Sequence, residues 1–277
     1  MTERATDAAL TLFDGDHLRA VLFRPDLPKL VLTFDHRQVG KSDFGAANPL
    51  RQAANRGWAT LRIMTRRNDW FINSETLALE RALATLAQHD RRHAIGYSMG
   101  GYAVFRFAAS LGLQSAIAVS PQYSVSPEVV PWDTRFHAEA PDFDADLGSL
   151  AKHRHKGLKA LIVFDPFHRP DLGNASLIAA NFPATQLLRL GFSGHPATRA
   201  LSQHGQSGTI NRQLIALQHD PAVFRQAFRE TRHLMPDFWQ RLAAEASLRH
   251  PNLAAVALAK RQRLLHADVV ATIPGGS

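Results

Sequence analysis

The sequence predicts an α/β fold, a mostly parallel sheet flanked by helices, with an inserted cap segment and a C-terminal helical extension. Three observations lead there. From Leu30 to about Gly205, short β-rich runs alternate with helical patterns, and parallel neighbours need such crossovers because a tight turn cannot join them. The 277 residues are 45% apolar and 20% charged, which is enough material for one sizeable core. Gly96-Tyr97-Ser98-Met99-Gly100-Gly101 stands where a strand pattern gives way to a helix pattern.

The elements follow in order. Leu10-Thr11-Leu12-Phe13 and Leu18-Arg19-Ala20-Val21-Leu22-Phe23, split by Asp14-Gly15-Asp16, read as an antiparallel hairpin at one edge, since Asp-Gly favours the tight turn. Leu30 to Phe34 and Ala59 to Met64 are the next strands. Ser74 to Gln88 reads as a one-faced helix, with Leu79, Leu83 and Leu86 at i, i+4 and i+7 and Asn73 or Ser74 as its cap. His93 to Tyr97 is a strand, and Met99 to Leu111, apolar on most sides, reads as a buried helix ending at Gly112. Ala116 to Val119, Ala160 to Phe164 and Gln186 to Leu190 complete the strands, with Asp171 to Asn181 helical between the last two. Pro121 to Gly157 breaks the rhythm and reads as an insertion over one sheet edge. Residues 1–207 therefore form the main domain, 121–157 its cap, and 208–277 a helical extension with helices from Pro221 and across Phe238 to Leu248.

Composition excludes several chemistries. The chain has no cysteine, so disulfides, thiolate zinc sites and a cysteine nucleophile are ruled out. No stretch has the uninterrupted apolar length of a membrane span, and the N-terminus lacks the basic and apolar regions of a signal peptide; the expected location is cytoplasmic. The net charge of +8 is spread over dispersed arginines. The densest basic runs, Lys152 to Lys156 and Lys260 to Arg263, lack the interleaved aromatics that stack bases, so they read as solvated surface and not as a nucleic-acid site. No phosphate-binding glycine loop is present, and His153-Arg154-His155 lacks a third ligand. The reading requires no cofactor and no metal.

Ser98 is the candidate nucleophile. Small neighbours let strand and helix approach while its hydroxyl projects outward from a strained turn. Met99 opens the following helix, so its N–H has no helical partner and is available to an oxyanion. Of the 14 histidines, His195 has the context of a general base, because Leu188-Arg189-Leu190-Gly191-Phe192-Ser193-Gly194-His195-Pro196 places it in a glycine-rich loop after a strand. Two carboxylates, Asp165 and Asp171, follow the preceding strand, and either can orient the imidazole. Asp171 is favoured slightly by its place just ahead of a helix, where it also suits an N-cap.

On these residues, from about Leu10 to Gly205, the chain resembles the α/β-hydrolase superfamily, in which nucleophile, acid and histidine occur in that order. The resemblance implies a serine hydrolase that cleaves an ester or related acyl substrate, or an acyltransferase on the same residues. It also implies a second oxyanion donor after the first central strand. That superfamily commonly has His-Gly there, whereas this chain has Phe34-Asp35-His36-Arg37, so His36 supplies the N–H only if the turn is kept. Ser98-Met99-Gly100-Gly101-Tyr102 with Ser120-Pro121-Gln122-Tyr123-Ser124 loosely resembles bacterial hydrolase-like proteins of glycan and secretion pathways, implying a small-molecule or glycan acyl substrate. The departure at His36, together with a C-terminal helix pair similar to a tetratricopeptide pair, also admits a non-catalytic binding protein with a protein partner on those helices.

Overall fold

The computed structural model describes residues 9–206, 208, 212–213 and 220–272. Its centre is an eight-stranded sheet in the order β1-β2-β4-β3-β5-β6-β7-β8. β1 (Ala9–Asp14) and β2 (Leu18–Phe23) form the expected hairpin, and β2 also runs antiparallel to β4 (Ala59–Thr65). The remaining strands pair in parallel: β3 (Lys29–Phe34), β5 (Arg91–Tyr97), β6 (Ser115–Val119), β7 (Lys159–Phe164) and β8 (Thr185–Arg189). The central strands are buried along most of their length, as a sheet covered on both faces requires.

The helices divide between the two faces. On one, α2 (Thr76–Leu83), α3 (Met99–Arg106) and α4 (Arg169–Asn181) bring Leu79, Leu83, Phe105 and Ile178 into a cluster with Leu32, Ala94 and Ile162. On the other, α1 (Arg51–Ala54), α5 (Arg199–Gln203), α6 (Pro221–Thr231) and α7 (Pro236–Ala246) cover Val31, Ile95 and Val163 with Ala53, Leu201, Phe224 and Phe238. Phe224 and Phe238 tie the C-terminal segment into the main core. α8 (Pro251–Thr272) packs along α7. The expected boundary at 207 and 208 falls where residue 207 and most of 209–219 lie outside the described residues, as does the start of the chain through residue 8.

Three local differences from expectation have physical causes. The helix expected to reach Gln88 tightens into a 3₁₀ turn after Leu83. α3 is regular only to Arg106, and the chain then turns through to Gly112, whose φ of 54° suits glycine. The short α1 carries too few residues for a periodic signal. Residues 121–157 contain only a 3₁₀ turn, Thr134–Phe136, among irregular chain. Among the described residues, no helix is long and apolar enough to cross a membrane.

Candidate active site

The strand order builds a crevice. From β3 the chain crosses to β4 on one side and then to β5 on the other, so the loops leaving β3 and β5 diverge at the carboxyl end of the sheet, where open α/β sheets bind ligands. His36 follows β3 and Ser98 follows β5. His195 follows β8, and Asp165 and Asp171 follow β7.

Ser98 joins β5 to α3 at φ 50° and ψ −117°, a conformation costly for a residue with a side chain. The surroundings hold it: its N–H donates to the Val119 carbonyl at 2.9 Å, and the neighbouring glycines make room for a close approach of strand and helix. A Cβ on Gly96 would lie 2.1 Å from the Gly100 carbonyl oxygen, and one on Gly100 would lie 2.8 Å from that of Asp35. The motif is therefore a steric requirement of packing α3 against the ends of β5 and β3. Met99 is the first residue of α3, so its N–H has no carbonyl within the helix to bond.

The hydroxyl of Ser98 lies 2.9 Å from His195 Nε2. On the other side of the ring, His195 Nδ1 is 3.1 and 3.0 Å from the two oxygens of Asp171. Because a carboxylate only accepts, Nδ1 carries the proton, and Nε2 is left to accept from Ser98. Gln122, fully buried, places its amide nitrogen 3.3 Å from the Ser98 hydroxyl, while its oxygen accepts from Trp70 at 3.2 Å.

Asp171 gathers more donors than the imidazole alone. Arg135, from the irregular segment, donates from Nη1 to Oδ1 at 2.8 Å, and His168 Nδ1 lies 3.1 Å from the same oxygen. Arg135 Nη1 also lies 3.3 Å from His195 Nδ1, both groups converging on one carboxylate. The guanidinium is held in turn by Asp133, which takes Nε and Nη2 at 2.7 Å each, and Asn174 donates to Asp133 at 2.7 Å. Burial pushes the Asp171 carboxyl up, but the neighbouring His168 and His195 imidazoles and the charge of Arg135 outweigh it and hold the group well below the ordinary carboxylate range.

Asp165 takes no part in this row. Its carboxylate accepts three backbone N–H groups, from Phe167 at 3.0 Å, Phe192 at 3.0 Å and Gly194 at 2.7 Å. Of the two candidate carboxylates, Asp171 meets the His195 ring and Asp165 shapes the loop that carries it. Ser120 adds a second tie, accepting from the Ala197 N–H at 3.1 Å.

A cavity of about 440 Å³ opens over Ser98 and His195, walled by Tyr97, Phe136 and Pro196 with His36, Arg37 and Arg199 at its sides. Ser98, Met99, His195 and Asp171 thus assemble in one place and His36 borders it. Arg135, Asp133 and Gln122 are additions: they lie in the segment expected to be a cap, which offers no periodicity from which to infer their direction.

No family model and no curated sequence relative matches the chain. Solved structures do. The capsule O-acetyltransferase of Neisseria meningitidis serogroup A superposes over 74% of this chain and 93% of its own, with a TM-score of 0.51 at 13% identity. A Silicibacter sp. TM1040 protein to which thioesterase activity is ascribed matches over 79% of this chain and 85% of its own, with a TM-score of 0.51 at 18% identity. Est1E from Butyrivibrio proteoclasticus covers 76% of this chain and 98% of its own, with a TM-score of 0.49 at 15% identity. For the first two the likeness, at these identities, is one of fold, and together with the strand order it makes this chain a protein of the α/β-hydrolase fold.

Proposed function

We propose that the protein is a serine acyl hydrolase that cleaves an ester or related acyl compound through an acyl-enzyme on Ser98. The observation that carries this reading is the unbroken row Asp171, His195, Ser98, with contacts of 3.0 and 2.9 Å. In the first half-reaction the Ser98 oxygen attacks the substrate carbonyl carbon while His195 Nε2 takes the hydroxyl proton. The new charge on the carbonyl oxygen falls to the N–H groups of Met99 and, in this reading, His36. As the tetrahedral centre collapses, the bond to the leaving alcohol breaks and His195 returns its proton to that oxygen. Water, deprotonated by His195, then attacks the acyl-enzyme and releases the acid and the free serine.

The same residues would serve transfer to a hydroxyl acceptor, since only the second nucleophile changes. An acetylated sugar is a candidate substrate, a reading that the O-acetyltransferase of matching fold makes worth testing. Asp171, kept ionised by its donors, orients His195 and stabilises the imidazolium. Treatment with a fluorophosphonate probe tests the proposal: covalent modification that disappears in Ser98→Ala supports it, and a wild-type protein that resists both the probe and turnover of activated esters contradicts it.

A further inference from the structure

Beside the cavity over Ser98 lies a second space of about 380 Å³, which shares His36 and Tyr97 with it as walls. The two differ in chemistry. The first exposes mostly the carbon of Tyr97, Phe136 and Pro196, with Arg37 and Arg199 at its sides, whereas the second adds Thr33, Asn48 and Arg62 to a wall that includes Phe34, Leu50 and Ile95. Among the described residues, no carboxylate walls either space.

Behind the second space sits an unequal set of charges. Asp35 is 1% exposed and faces two cations: Arg62 Nη2 bonds its Oδ1, and Lys41 Nζ lies 3.2 Å from its Oδ2. The Lys41 side chain is 2% exposed and its ammonium also bonds the Asp43 carbonyl oxygen at 3.3 Å. Asp35 accepts the Thr65 N–H at 3.3 Å as well, so its lone pairs are largely occupied. One carboxylate between two cations leaves a net positive charge, hidden from water at Lys41 but reaching the open space through Arg62, whose side chain is 23% exposed, so an anion there would meet it. Arg62 lines the open space, and its planar fork carries five donors, more than one carboxylate oxygen can satisfy.

We propose that this space is an anion subsite and that the natural acyl substrate carries an oxyanion group, phosphate or carboxylate, which Arg62 binds with help from Asn48 and Thr33 while the acyl carbon rests at Ser98. The placement of the acyl group rests on the reading of Ser98 as nucleophile; the anion subsite does not. Both spaces are of a size that holds more than a short acyl group, as a two-part substrate needs.

The test has two arms. In Ser98→Ala protein, which cannot turn over, inorganic phosphate is expected to bind saturably by calorimetry, and adding Asn48→Asp at the exposed wall should weaken that binding at least tenfold by placing a negative charge there. In the active protein, kcat/KM is compared for a neutral aryl acetate and for acetyl esters whose alcohol carries phosphate or carboxylate. The charged esters are expected to be favoured at least tenfold, the better of the two identifying the anion, and Asn48→Asp should erase the preference. Absence of phosphate binding, binding indifferent to Asn48→Asp, or equal use of charged and neutral esters would overturn the subsite. Phosphate binding in Ser98→Ala combined with no turnover of any ester by the wild type would uphold the subsite and reject the nucleophile.

Discussion

Asp165 and Asp171 leave the same strand and are equally hidden, each 1% exposed, yet their carboxylates engage different kinds of donor. Asp165 accepts backbone N–H groups, which are fixed to the path of the chain. Two of them belong to Phe192 and Gly194, at φ 63° and 75°, so this carboxylate holds a loop in left-handed conformations that a non-glycine residue otherwise avoids. Asp171 accepts from side chains that carry or can acquire charge, His195 and Arg135, and His168 Nδ1 lies 3.1 Å from it. A buried carboxylate among amides makes a scaffold, whereas one among imidazoles and a guanidinium can answer a proton moving nearby.

Substitutions can break that comparison. Asp171→Asn is expected to have the largest effect on rate, a fall in kcat of about 10⁴-fold, because an amide permits the wrong imidazole tautomer; thermal unfolding of the variant should show the fold retained. Arg135→Met comes next. It leaves Asp133 buried without its bidentate cation, which costs about 3 kcal/mol of stability, measurable by denaturant titration.

The same variant moves the pH response. Asp171 has its pKa depressed in the folded state, so the stability it contributes is present above about pH 4, its ordinary range, and is lost only as pH falls through the lower folded value. Removing the Arg135 cation takes away one of the causes that hold the Asp171 pKa down, so the pH at which this stability is lost rises. The midpoint of acid unfolding should therefore move to higher pH in Arg135→Met and return in Arg135→Lys, read by circular dichroism across a pH series.

Asp165→Asn should lower stability by about 2 kcal/mol, since one amide oxygen replaces two carboxylate oxygens before three N–H donors, and should reduce kcat only about tenfold through a looser His195 loop. A loss as large as that of Asp171→Asn would mean that the scaffold and the charged row are not separable. The smallest change is expected for His168→Gln, about threefold in kcat, because Asp171 keeps both His195 and Arg135.

Much of this arrangement was legible in the residue order. Alternating strand and helix patterns marked every strand of the sheet to within a few residues, and the glycines about Ser98 announced a close approach that Gly96 and Gly100 do require. Gly194-His195 marked a tight loop, but Asp171, expected just ahead of a helix and suited to an N-cap, is the third residue of α4, which begins two positions earlier than its residue pattern suggests. What stayed hidden arises from long-range packing. The donors to Asp165 are backbone groups that any sequence would carry, so nothing in its letters identifies it as an anchor. Arg135 reaches Asp171 from a single 3₁₀ turn, too short to show a period that sets its direction. Arg106 lies wholly buried in the apolar α3, where its Nη1 meets Glu80 at 2.7 Å, and the composition of that helix does not reveal it. The crossing of β3 between β4 and β5, which opens the crevice, is likewise a property of the assembled sheet.

The central claim is that Ser98 forms a covalent acyl intermediate. Rapid acid quenching of the protein with an activated acetyl ester, followed by peptide mass analysis, tests it most directly, with Asp171→Asn as the slow comparison. The expected result is an acetyl group on Ser98 that appears within the first turnover, is absent in Ser98→Ala, and forms far more slowly in Asp171→Asn. Steady turnover with Ser98 unmodified, or an equal rate of acetylation in Asp171→Asn, would contradict the account.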